Sequence, residues 1–357
     1  MADVPRTLAE LTPAWLSHAL DTTVVDVRVT PIAEGEGFMG KLARVAPVYG
    51  NGGVGPASLV AKLPTDDPGS VAIGQMLRVW EREARFYLDL APRLPVRTPQ
   101  CYFADGDDAS GIFAMLLEDL SPYTGGDQVV GATPEQAGAA VQWLARFHAS
   151  GAELSSATGL EWVPATATSP MYQGLGPMLE AVFPMFAEKF ADVAPPGTLG
   201  WVERMVPKWN DSMAQQLLPR TFVHGDFRGD NLFFDGTGAN LEVITLDWQA
   251  IAMGEGLYDV AYFLAGSVTT EQRRGTERQL VADYGRKLRD LGVAAPEGDE
   301  LFDHYRRTLL LAMTVGALLM GQIDFTVNPR AVELAKIAIE RVFTAGADLE
   351  VDQLIDG

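Results

Sequence analysis

The chain has 357 residues, 47% of them apolar, and a formal net charge of −20. That is enough apolar sequence for a sizeable core in one large domain or a two-lobed unit, and it excludes an intrinsically disordered chain. The charge repels duplex nucleic acid and anionic membrane, so neither is expected as a partner.

The single cysteine, Cys101, cannot form an internal disulfide or a Cys-rich metal site. The N-terminal MADVPRTLAE has neither a basic n-region nor an apolar run, so no signal peptide is expected. The longest apolar run, LLLAMTVGALLMG at 309–321, falls short of the ~20 residues that span a bilayer. A cytoplasmic enzyme is the expectation.

Thr12-Pro13 supplies an N-cap and a proline at the first helical position, which predicts a short helix to Leu20. Three strands follow, over 23–32, 41–49 and 57–63, with turns and no helix between them. From Gly69 the apolar spacing becomes helical, with Met76, Leu77, Trp80, Ala84, Tyr87 and Leu88 on one face. CYFAD and IFAMLLE flank the turn GDDASG and read as a hairpin. EDLSPYTGGD (118–127) breaks the pattern and marks a boundary. Thr133 to Gln136 is a capping box opening a helix to about His148. Later strands are expected in RTFVHGD, NLFFD and LEVITLDW, and helices at roughly 256–266, 270–291, 298–322 and 329–345. The layout is α+β. It divides into an N-terminal β-rich lobe (1–118), a hinge (119–127) and a mostly helical C-terminal lobe (128–357) carrying a small β-hairpin.

GEGFMG (35–40) has the form G-x-G-x-x-G, shared by dinucleotide-binding turns and by kinase phosphate loops. A dinucleotide site needs a helix directly after it and an acid about 20 residues on. Here a strand follows, and the third strand offers Lys62 instead. Gly35, Gly37 and Gly40 therefore read as a glycine-rich loop between two antiparallel strands, closing over phosphates.

The most specific stretch is HGDFRGDNLFF (224–234), which reads H-x-D-x-x-x-x-N. A kinase catalytic loop has this spacing, because one tight loop must place a carboxylate at the nucleophile and an amide oxygen at the metal. Asp226 is the candidate base and Asn231 the candidate metal ligand. Asp247, at the end of the next apolar strand, adds a second oxygen ligand, a donor set that suits Mg²⁺. Upstream, Lys62 lies within a strand and Glu83 on the following helix, the pair a kinase uses at the α- and β-phosphates. Glu81 is the alternative partner, about 160° away around the helix. Arg228 reads either as a neutraliser of phosphoryl charge or as a structural ion pair. His148 reads as a packed helix residue.

These motifs resemble the aminoglycoside phosphotransferase and choline kinase superfamily, whose fold is that of protein kinases. HGDFRGDNLFF, VITLDWQ and GLYDVAYFL carry the resemblance in the C-terminal lobe; LVAKL, EREARFY and LLEDL carry it in the N-terminal lobe. Within that superfamily the chain is most similar to the ecdysteroid-kinase-like phosphotransferases. The resemblance implies a two-lobed protein-kinase-like fold, ATP (or GTP), two Mg²⁺ ions and a hydroxyl acceptor. It assigns Asp226 as base, Asn231 and Asp247 as metal ligands, and backbone groups around Leu117, Glu118 and Asp119 as the adenine contact. Asp259 matches a structural aspartate of the family, expected to brace the catalytic loop.

Only nine residues separate Asp247 from the helix at Gly256, too few for a long activation segment, and no A-P-E follows. A small-molecule acceptor is expected, not a protein. Its selectivity is assigned to 155–217, rich in Met and aromatics and poor in carboxylates. Those side chains read either as helix core or as the wall of a pocket for a bulky, partly apolar alcohol. An antibiotic-inactivating kinase and a nucleotide-binding pseudokinase are the alternatives.

Overall fold

The computed structural model describes residues 4–32, 40–50, 52–107, 109–321 and 329–355. The architecture is α+β, with a β-rich N-terminal region followed by mostly helical chain. It divides into two units, the first holding residues 1–93, 98–123 and 246–250 and the second the remainder.

The first unit opens with α1 (Pro13–Ala19), capped by the Thr12 side chain, which accepts from the Trp15 amide. Three strands follow: β1 (Val24–Ile32), β2 (Gly40–Tyr49) and β3 (Leu59–Pro64). Then come α2 (Pro68–Leu77), α3 (Val79–Arg85), β4 (Cys101–Asp107) and β5 (Ile112–Glu118). The strands form one antiparallel sheet in the order β1-β2-β3-β5-β4. Residues two apart in a strand share a face. Leu59, Ala61 and Leu63 of β3 accordingly join Trp15 and Leu16 of α1 in one buried cluster. The same alternation turns Lys62 to the opposite face.

The single helix expected from Gly69 is broken. Arg78 adopts a left-handed conformation (φ 52°) between α2 and α3, and Phe86–Leu90 continue α3 as a π-helical turn. The predicted apolar face is broken with it: Trp80 and Tyr87 are buried, while Met76 and Leu88 are exposed.

The second unit contains β6 (Thr124–Gly125), α4 (Pro134–Leu154), α5 (Pro170–Gln173), α6 (Leu175–Phe190), α7 (Leu199–Met205) and α8 (Trp209–Ala214). β7 (Thr221–Val223), β8 (Leu232–Asp235), β9 (Glu242–Thr245) and β10 (Ala252–Gly254) come next. α9 (Leu257–Ser267), α10 (Thr270–Asp290), α11 (Gly298–Gly321) and α12 (Pro329–Asp348) complete it. The capping box at Thr133 and Gln136 is formed, and α4 runs beyond His148 to Leu154. β8 and β9 form the expected hairpin, flanked by β6. β7 pairs with β10, a strand too short to leave a periodic signal. Among the described residues no helix is long and apolar enough to cross a membrane.

Gly151 marks where α4 crosses β7. A Cβ there would clash with Thr221 Oγ1 and lie 2.9 Å from the Phe222 amide nitrogen. Gly151→Ala should therefore destabilise the protein by about 1–3 kcal/mol. The helix-propensity gain of about 1 kcal/mol does not offset a clash with backbone. Urea unfolding of the variant tests this.

Candidate active site

In the first unit the structure brings Lys62, Glu83 and Asp247 together. Lys62 Nζ lies 2.6 Å from Glu83 Oε2 and 3.1 Å from Asp247 Oδ1. Glu83 is 1% exposed, and burial pushes its carboxyl up to about 7 against the pull of Lys62. Burial works to lower the Lys62 ammonium, but the charges of Asp247 and Glu83 outweigh it and hold the group above its ordinary range. Glu81 does not take this place; it pairs with Arg78 and Arg85 on the outer face of α3. The segment carrying Asp247 is anchored by Trp248, whose ring stacks on Phe86 with centroids 3.6 Å apart. Asp247 itself has φ 65°, a left-handed conformation that a short polar side chain tolerates.

Leu117 and Glu118 close β5, and Asp119 follows it. The Glu118 amide donates to the Gln100 carbonyl (2.8 Å), so that N–H is engaged within the sheet edge. The Asp119 carboxylate accepts from Ser58 Oγ (2.5 Å), Arg44 Nε (2.8 Å) and the Ser121 amide (3.0 Å). Burial works to raise it, yet these hydrogen bonds prevail and hold it at about 2. Gly40 begins β2 opposite Pro64 of β3. Gly35 and Gly37 lie outside the described residues.

In the second unit the loop after β7 presents Asp226. Tyr262 Oη donates to Asp226 Oδ1 (3.0 Å), while Arg228 Nε (3.2 Å) and Asn231 Nδ2 (3.0 Å) donate to Oδ2. Arg228 is thus ion-paired, with a second partner in Asp230 at 2.7 Å. The loop backbone is fixed by Asp259 of α9, whose carboxylate accepts from the His224 (2.7 Å) and Gly225 (3.0 Å) amides. His148 Nε2 lies 3.2 Å from the same carboxylate and its Nδ1 2.8 Å from Tyr284 Oη, a packed histidine.

Sequence reasoning missed Tyr262, Asp230 and Gln128. The Gln128 amide donates to Asp230 Oδ1 (2.8 Å) and its Oε1 accepts from Arg228 (3.2 Å). For Tyr262 a signal existed: it lies three residues beyond Asp259, one turn along the same helix face.

Asn231 Nδ2 donates to the Asp226 carbonyl (2.9 Å) and carboxylate, which leaves its amide oxygen as the atom suited to a hard cation. Among the described residues no group of three His, Cys, Asp or Glu is arranged to hold a metal. Within 155–217, Trp162, Phe183, Phe186, Phe190, Met205 and Trp209 are core. Met171, Tyr172, Met178 and Trp201 stay partly exposed.

A model of the ecdysteroid kinase-like family matches residues 34–293. The chain belongs to this family. Solved structures share the fold at low identity. A choline kinase from Cryptosporidium parvum superposes with a TM-score of 0.54 at 11% identity, covering 97% of this chain and 95% of its own. An aminoglycoside phosphotransferase solved with GDP and kanamycin gives 0.52 at 15%, covering 98% and 99%. An amicoumacin kinase solved with AMP-PNP and Ca²⁺ gives 0.53 at 13%, covering 96% and 92%. No curated protein sequence matches the chain. Membership in the family, with this fold, makes the chain a phosphotransferase of the small-molecule kinase type.

The Asp119 network predicts an acid-sensitive contribution to stability. Its folded value is lowered from 3.8 to about 2, so the contribution is fully present above 3.8 and is lost as pH falls through about 2. Asp119→Asn should cost roughly 2 kcal/mol at neutral pH. The gap between variant and wild type should close in the acid range, as read by urea unfolding at a series of pH values.

Proposed function

We propose that this phosphotransferase moves the terminal phosphoryl group of ATP or GTP to the hydroxyl of a small molecule, and that the acceptor is a bulky, partly apolar alcohol. One observation carries the reading. The Asp226 carboxylate is gripped by three donors and yet remains 27% exposed, as a group that must meet an incoming hydroxyl should be.

Asp226 orients the acceptor hydroxyl and takes its proton as the new O–P bond forms and the bond to the leaving diphosphate breaks. Lys62, kept in place by Glu83, neutralises charge on the donor phosphates. Asn231 in the second unit and Asp247 in the first would each offer an oxygen to Mg²⁺, which would balance the charge of the transferring group. Asp259 holds the loop and does not touch substrate. Catalysis in this reading is positioning plus electrostatics.

Two features support a small, apolar acceptor. α9 begins ten residues after Asp247, leaving no long segment on which a protein could dock. Region 155–217 presents Met171, Tyr172, Met178 and Trp201 at partial exposure, where flexible and flat side chains suit an apolar ligand.

Asp226→Asn should lower phosphoryl transfer by about 10³-fold. Affinity for MgATP should stay within roughly threefold, since the substituted group sits at the acceptor hydroxyl. Nucleotide consumption, with ATP and with GTP, is to be followed against amino sugars, macrolides, sterols, hydroxyacyl-CoA thioesters and choline-like amines. Near-normal transfer by the variant removes Asp226 as base. Turnover of amino sugars or macrolides alone turns the reading to an antibiotic kinase, and binding of nucleotide with no turnover turns it to a pseudokinase.

A further inference from the structure

We propose that Tyr262 is a positioning residue for phosphoryl transfer: its hydroxyl holds Oδ1 of Asp226 and fixes the rotation of the base carboxylate. The proposal rests on the reading of Asp226 as base. An ionised carboxylate offers about four acceptor positions. Oδ2 is filled by two donors, Arg228 Nε at 3.2 Å and Asn231 Nδ2 at 3.0 Å. Among the described residues Oδ1 receives Tyr262 Oη alone, at 3.0 Å. The position they leave for an acceptor hydroxyl is on the oxygen that Tyr262 holds.

The torsion about Cβ–Cγ of an aspartate is broad and roughly two-fold. Donors on one oxygen alone leave the other free to swing, and a donor on each side locks the plane. Tyr262 suits this task. It is 9% exposed, and its ring stacks on Tyr258 one turn earlier, at 5.8 Å and 21°. Burial above all, and then the charge of Asp226, push its hydroxyl well above the ordinary range, so it stays a donor. α9 thus controls the loop twice. Asp259 fixes the backbone at His224 and Gly225, and Tyr262, three residues on, fixes the side chain of Asp226.

The test compares Tyr262→Phe, Tyr258→Phe and Asp226→Ala with wild type. The readouts are phosphate release from MgATP with water as acceptor, KM for MgATP, and urea stability. Tyr262→Phe should lower kcat about tenfold, the effect of losing one hydrogen bond to a charged group. KM for MgATP should stay within about twofold, because the nucleotide is not what Tyr262 positions. Tyr258→Phe should leave kcat at the wild-type level. Tyr262→Phe should destabilise wild type but not Asp226→Ala, where the hydroxyl has lost its acceptor; mere ring packing would give additive effects. Should Tyr262→Phe not fold, Tyr262→His, which keeps a ring and an N–H donor, is set against Tyr262→Leu, and equal kcat in the two overturns the proposal. An unchanged kcat in Tyr262→Phe, or a fall matched by Tyr258→Phe, also overturns it. Full turnover by Asp226→Ala removes the base reading and this proposal together. The stability cycle fails or holds without reference to turnover.

Discussion

The Asp259 carboxyl group is fully buried, and four groups meet there: the amides of His224 and Gly225, the ring of His148, and the helix that carries it. A polar group taken out of water is stabilised only where donors surround it. The donors come from α4 and from the loop after β7, so the geometry of that loop follows from satisfying one buried side chain. The motif around Asp259 follows as well. A Cβ at Gly256 would sit 2.6 Å from both His148 Nδ1 and Tyr284 Oη. Only glycine lets α9 start close enough for Asp259 to reach the loop.

In the first unit the corresponding constraint is a charge imbalance, one ammonium against two carboxylates. The two partners of Lys62 differ in kind. Glu83 is closer and 1% exposed; Asp247 is farther and 30% exposed. Breaking a buried pair leaves an uncompensated charge and is costly, whereas an exposed partner can be solvated. Under the proposed reading Glu83 is therefore the permanent holder of Lys62, and Asp247 is the partner able to exchange it for phosphate oxygens and a cation. The preference of Glu83 over Glu81 has the same origin, since Glu81 is already engaged with two arginines at the surface.

What was legible in the sequence were features with a fixed period or spacing. The strand read over 57–63 placed Lys62 within β3, and Thr133 to Gln136 announced α4. The break at Arg78 was invisible because arginine carries no turn signal, although it takes a left-handed conformation there. The β7–β10 pairing was missed because three-residue strands have no period to read. Tyr262 was missed because a tyrosine in an apolar helix looks like core, and its ring is; only the hydroxyl does something else. The Met and aromatic side chains of 155–217 divided the same way, most of the aromatics inward and a few partly exposed, a division that composition cannot make.

The long helical tail is part of the apparatus around Asp226. Arg341 of α12 donates to the carbonyls of Gln128 (2.6 Å) and Val129 (2.8 Å). Gln128 in turn holds Asp230 through its amide and Arg228 through its side chain, and Arg228 holds Asp226. Segment 127–131 is thus pinned from one side by α12 and from the other by the loop. Under the proposed reading such redundancy is needed, because a carboxylate that must stay partly exposed cannot be held by burial. The residues of this network are buried in its stead: Asn231 at 4% exposure, Gln128 at 4%, Tyr262 and Arg341 at 9% each. Order is built in successive layers around Asp226, which inherits it through hydrogen bonds.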